Sequence, residues 1–102
     1  HWAAKARMTE HLRALGRWKA RQVGARLDPP VRLRIHLTYP DARKRDAENY
    51  APSIKSLVDG IVTDFGLIPG DDDAQIVERA WTSEVHRIGA FGVGLTFEEV
   101  GR

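Results

Sequence analysis

Five apolar residues in strict alternation, Val31, Leu33, Ile35, Leu37 and Tyr39, interleaved with Arg32, Arg34, His36 and Thr38, set the strongest limit on how this 102-residue chain can fold. A period of two sends successive side chains to opposite faces, so residues 31–39 predict a β-strand with one buried and one wet side. Asp28-Pro29-Pro30 separates that strand from what precedes it, because proline lacks an amide donor and biases the residue before it toward extended geometry. Upstream, from Trp2 to about Arg26, the apolar positions Trp2, Ala6, Leu12, Leu15, Trp18 and Val23 recur at roughly helical spacing. Arg13, Arg17 and Arg21 stand four apart on another face, and the whole reads as one amphipathic, basic helix.

After the strand, Tyr39-Pro40-Asp41 turns the chain into Arg43-Lys44-Arg45, which runs directly into Asp46 and Glu48. A second helix is predicted from about Pro52 to Phe65, with Ile54, Leu57, Val58, Ile61 and Phe65 on one side and Pro52 acceptable in its first turn. Gly66 ends it, and residues 67–73 form a turn-rich loop. Ala74 to about Val85 reads as a third element and Gly92 to Val100 as a last strand. The order helix, strand, helix, strand, strand predicts a single α+β domain over 1–102, a small mixed β-sheet packed against two main helices. Its central strand-helix-strand step has the form of a right-handed crossover.

The chain has no cysteine, which excludes disulfides and Cys-based zinc sites, and no apolar run nears the roughly 20 residues of a membrane span. The expectation is a soluble, cytoplasmic protein. The overall charge of +2 conceals an asymmetry: residues 1–45 hold twelve Lys/Arg against three Asp/Glu, whereas residues 46–102 hold four against eleven. A basic half beside an acidic half fits a polyanion-binding surface flanking a metal pocket, and it fits internal charge pairing as well.

Hard divalent cations take oxygen ligands, so carboxylates converging from separate elements suit phosphoryl-transfer chemistry. Asp46 and Glu48 are two apart, and in an extended segment they would project to one side toward a shared cation. Asp71-Asp72-Asp73 would complete such a site if the fold returns that loop to it; taken alone, the triplet equally describes a polar turn or strand cap. Lys55 has the chemistry to stabilise charge building on a phosphate, or simply to be a solvated helix lysine. Arg13, Arg17, Arg21, Arg43, Lys44 and Arg45, with Arg32 and Arg34, are candidate phosphate contacts, each adding to a salt-dependent affinity. Trp18 and Trp81 could stack on exposed bases, although core or interface is the favoured reading. His1, His11, His36 and His86 show no ligand spacing.

The stretch from Tyr39 to Asn49, with Asp46-Ala-Glu48-Asn49 at its end, followed by Lys55-Ser-Leu-Val-Asp59-Gly-Ile61 and Asp72-Asp73-Ala-Gln75-Ile-Val, resembles the RusA family of Holliday junction resolvases, common in bacteria, prophages and phages. The resemblance covers about 31–100, with the basic helix in the expected place before it. It implies a homodimeric, Mg²⁺-dependent endonuclease, with Mn²⁺ able to substitute, that nicks opposing strands of a four-way DNA junction. Carried over by position, it gives Asp46, Glu48 and Asp73 as catalytic metal ligands, Asp72 as a supporting acid and Lys55 as the essential basic residue. It also implies that these carboxylates gather in a basic cleft of the dimer. Glu48 stands where the family more often has aspartate, Tyr50-Ala51-Pro52 looks inserted ahead of the Lys55 helix, and the family's opening strand is expected to be missing. The competing expectation is a non-catalytic branched-DNA-binding module that keeps the basic surface and uses the acids for folding. A third is a generic α+β domain whose acidic loop binds Ca²⁺ or nothing.

Overall fold

A computed structural model describes residues 2–87 and 89–100. The chain is α+β, with its elements in the expected order: α1 (Trp2–Val23), β1 (Val31–Tyr39), α2 (Ala51–Asp59), β2 (Ile76–Val85) and β3 (Gly92–Glu99). A 3₁₀ turn, Ala47–Tyr50, leads into α2, and a π-helical segment, Gly60–Phe65, continues it. These elements fall into two compact units. One comprises the residues up to Leu27 together with Asp46–Asp71, and the other comprises Asp28–Arg45 and the residues from Asp72 onward.

The helical unit is built on a close crossing of backbones. Along α1 only Gly16 is buried. A Cβ at Gly16 would fall well inside 3.0 Å of the Leu57 carbonyl oxygen, and one at Gly60 would do the same to the Arg13 carbonyl oxygen. Two glycines therefore let α1 approach α2 and the π-helical segment more closely than any side chain permits. Ile54, Val58, Val62, Leu67 and Ile68 supply the buried apolar groups of this unit. The second helix stops where Gly66 adopts φ +84°, and the Gly66 and Leu67 amides both donate to the Ile61 carbonyl. Beyond α1 the chain docks on that end. The Leu27 amide donates to the Leu67 carbonyl at 2.9 Å, and the Arg26 guanidinium lies 4.4 Å over the Phe65 ring.

Two expectations for α1 need correction. The helix ends at Val23 rather than near Arg26, because Gly24 takes φ +76° and donates to the Ala20 carbonyl, closing the helix before the prolines are reached. Its apolar stripe is also largely uncovered: Trp2, Met8, Leu15, Trp18 and Val23 are all exposed. Trp18, at 53 % exposure, is therefore not a core residue, and neither is Trp81 in β2 at 39 %.

The sheet unit has strand order β2-β1-β3, with β2 parallel and β3 antiparallel to β1. As the central strand, β1 carries the alternation read from the sequence, with Val31, Leu33, Ile35, Leu37 and Tyr39 buried. A bulge after the Val31–Ile76 pair skips Val77 and sets Glu78 opposite Arg32. On that wet face Arg32 pairs with Glu78 of β2 and, at 3.0 Å, with Glu98 of β3, while Arg34 reaches Glu98 at 3.3 Å. His36 contacts Thr82 at 2.7 Å and Glu84 at 3.2 Å. Cross-strand charge pairing thus claims Arg32 and Arg34, two of the cations considered as phosphate contacts. Hydrogen bonds to Glu98 and then Glu78 raise the pKa of Arg32 above its ordinary value.

Candidate functional site

The segment carrying the first two carboxylates is not extended as expected. Asp46 itself has extended backbone, φ −110° and ψ 119°, but it serves as the N-cap of the 3₁₀ turn that contains Glu48. Its Oδ1 accepts from the Glu48 amide at 3.0 Å, and its carbonyl accepts from the Asn49 amide at 3.1 Å. Capping occupies one carboxylate oxygen with the turn's orphan amide and fixes the orientation of the group. Asp46 and Glu48 are both exposed, and Pro52 follows in the first turn of α2, which directs the chain from acid turn to helix.

Lys55 projects from α2 toward two acids. Its ammonium lies 3.3 Å from Asp59 Oδ1, one helical turn on, and 4.0 Å from Asp71 Oδ2. The Lys55–Asp59 pair was legible as an i,i+4 spacing. The approach of Asp71 was not, because the two residues are joined through the π-helical segment and the loop after Gly66.

In the sheet unit Asp72 closes the turn before β2. Its Oδ1 accepts from the Ala74 amide at 2.9 Å and the Gln75 amide at 3.2 Å, and its Oδ2 accepts from Gln75 Nε2 at 3.1 Å. That is the capping role left open for the acidic triplet. Gln75 Oε1 beside it is buried without a hydrogen-bond partner. Asp73 has a wholly exposed carboxylate, 3.5 Å from Arg79. Among the described residues no three His, Asp or Glu side chains form a metal-holding group. Asp46 and Glu48 belong to the helical unit, and Asp72 and Asp73 to the sheet unit.

The candidate phosphate contacts divide by what already holds them. Arg45 donates to Asp41 Oδ1 at 2.7 Å and to the Asp41 carbonyl at 2.9 Å, and it stacks 4.5 Å over the Tyr39 ring. It therefore braces the loop after β1. Arg43 and Lys44 are exposed, with Arg43 3.6 Å from Asp41 Oδ2. In the helical unit Arg13 clasps Asp64 with two parallel hydrogen bonds, 2.9 and 2.7 Å. Arg17 lines the same groove of about 430 Å³, together with Glu10, Ala14, Trp18 and Arg21.

These pairs give a pH dependence of known sign. Arg13 holds the Asp64 carboxyl below its ordinary value of 3.8, chiefly by hydrogen bonding. The Arg43 amide, then Arg45, does the same for Asp41. A depressed carboxylate stabilises the fold above the ordinary value, and that contribution disappears as pH falls through the folded-state value. The urea midpoint of the wild type should therefore drop as pH is lowered from about 4. The Asp64→Asn variant should be less stable at pH 7 and converge on the wild type in acid. Parallel pH profiles for the two proteins would show that the pair contributes nothing.

Comparison of the chain with models of protein families, with curated proteins and with solved structures found no match in any of the three. Among the described residues no helix is long and apolar enough to cross a membrane.

Proposed function

We propose that this chain is a Mg²⁺-dependent, structure-selective DNA endonuclease that resolves four-way junctions as a homodimer, one acidic site acting on each of two opposing strands. The observation that carries the reading is the contact range between Lys55 and Asp71. The basic residue singled out by the motif reaches the residue that immediately precedes Asp72 and Asp73. The donor chemistry suits the metal, since Asp46, Glu48 and Asp73 each carry an exposed carboxylate, the hard oxygen donor that Mg²⁺ takes, and Asp46 keeps Oδ2 outside its capping bond.

Bound there, Mg²⁺ or Mn²⁺ would supply Lewis acidity toward a phosphodiester and lower the pKa of an attacking water. The chain's own groups do the rest. Asp46, held by the Glu48 amide, presents a carboxylate of fixed direction. Lys55, hydrogen-bonded to Asp59 and 4.0 Å from Asp71, sets a positive charge where negative charge builds as water bonds to phosphorus and the ester P–O bond breaks. Arg43 and Lys44 contact flanking phosphates. The resemblance of these motifs to the RusA family points to a bacterial cell or a phage or prophage as the setting.

The test is a labelled four-way junction beside a linear duplex of the same sequence, in Mg²⁺, Mn²⁺ or chelator. Paired, metal-dependent nicks on the junction alone support the proposal. Salt-sensitive junction binding with no nicks in either metal would replace it with the non-catalytic DNA-binding reading.

A further inference from the structure

Along α1, residues 10, 13, 14, 17, 18 and 21 form one stripe at helical spacing, and all six line the groove whose far wall is Asp64 of the π-helical segment. Within it the charges are not evenly spread. Arg13 is neutralised by its two-bond clasp on Asp64, and Glu10 marks the end nearer the N-terminus. At the other end stand Arg17 and Arg21, one helical turn or about 6 Å apart along the axis, with the Trp18 indole between them in sequence. Trp18 is 53 % exposed, with the Lys19 ammonium 5.4 Å from its ring centroid. The helix around them carries six Lys/Arg against a single acid, Glu10.

A large indole left in water beside two planar cations on one helix face matches what an unpaired nucleotide offers, a base to stack and phosphates to neutralise. A duplex offers no free base face, and an acidic peptide offers charge without a ring to stack. We infer that the Arg17-Trp18-Arg21 end of this groove binds single-stranded nucleic acid, the indole stacking on a base and the two guanidinium groups contacting neighbouring phosphates. The site needs no metal and none of Asp46, Glu48, Lys55 or Asp73, so it stands whether or not the chain is a nuclease.

The experiment is a fluorescence and anisotropy titration of the whole chain with oligo(dT), in chelator, over a series of salt concentrations. A parallel strand contains abasic sites at equal phosphate number, and poly-glutamate serves as competitor. Trp18→Ala should weaken oligo(dT) binding about tenfold without changing the salt slope, and Trp18→Phe should restore most of it. Arg17→Ala with Arg21→Ala should weaken binding and lower the slope of log K against log salt by about 1.4, the share of two single-strand phosphates, whereas the Lys pair should retain it. Removing two charges elsewhere, Lys5→Ala with Arg87→Ala, should preserve the tenfold Trp18 effect. All five positions are exposed, so unchanged circular dichroism is expected throughout. Equal affinity for the abasic strand, equally effective competition by poly-glutamate, or a double-arginine variant with the wild-type slope would each overturn the inference.

Discussion

Asp46→Asn should abolish metal-dependent nicking of a four-way junction, by about a hundredfold or more, while leaving the fold intact. The reason lies in the two uses of this side chain. Its Oδ1 caps the 3₁₀ turn by accepting from the Glu48 amide, and asparagine caps as well as aspartate because its amide oxygen accepts the same bond. What asparagine lacks is the negative charge that a hard cation requires. Urea midpoints should therefore match the wild type while turnover disappears. Asp46→Ala should lose both, with about 1 kcal/mol of stability going with the cap. Asp73→Asn should behave like Asp46→Asn, since its exposed carboxylate caps nothing among the described contacts and meets only Arg79 across 3.5 Å. Asp72→Asn should be milder in activity and visible in stability, because that carboxylate accepts three bonds that close the turn before β2. If Asp46→Asn and Asp73→Asn both nick at the wild-type rate, the assignment of the metal site to these carboxylates is wrong.

The same residues show how far the sequence could be read. The alternation over Val31–Tyr39 was decisive because a central strand, flanked on both sides, has one face that must be buried. The helical pattern over 52–65 and the stop at Gly66 held for a similar reason, apolar spacing followed by a residue free to take positive φ. Gly24 carried the same stop signal and was overshadowed by the prolines beyond it. Asp46-Ala-Glu48-Asn49 puts two carboxylates on one side only if it is extended, and an aspartate four residues before a tyrosine and a proline-started helix is also an N-cap pattern. The partners of Arg13 and Arg32 lie 51 and 46 residues away in the chain, a distance at which charge alone does not specify pairing. The exposed stripe on α1 misled because amphipathic spacing tells which residues share a face and is silent on whether anything covers it.

Least legible were Gly16 and Gly60, and they support the second large effect. In an exposed helix interior, glycine to alanine is stabilising by about 1 kcal/mol, because alanine restricts the unfolded chain and shields the backbone. Here the sign should reverse. A Cβ at either position meets a backbone carbonyl well inside 3.0 Å, and carbonyl oxygens in a helix cannot rotate away as a flexible side chain would. The helices must separate, and separation uncovers the contact around the only buried position of α1. Gly16→Ala and Gly60→Ala should each cost about 3 kcal/mol, at the upper end of overpacking. For a domain of this size that corresponds to a fall in Tm of roughly 12–24 °C. The two substitutions act on one crossing, so the double variant should lose less than the sum of the singles, once the first has already parted the helices. Thermal unfolding of the two single variants and the double decides the matter. A single variant as stable as the wild type would show that α1 does not rest on α2 through these glycines, and additive losses would show that the two contacts yield independently.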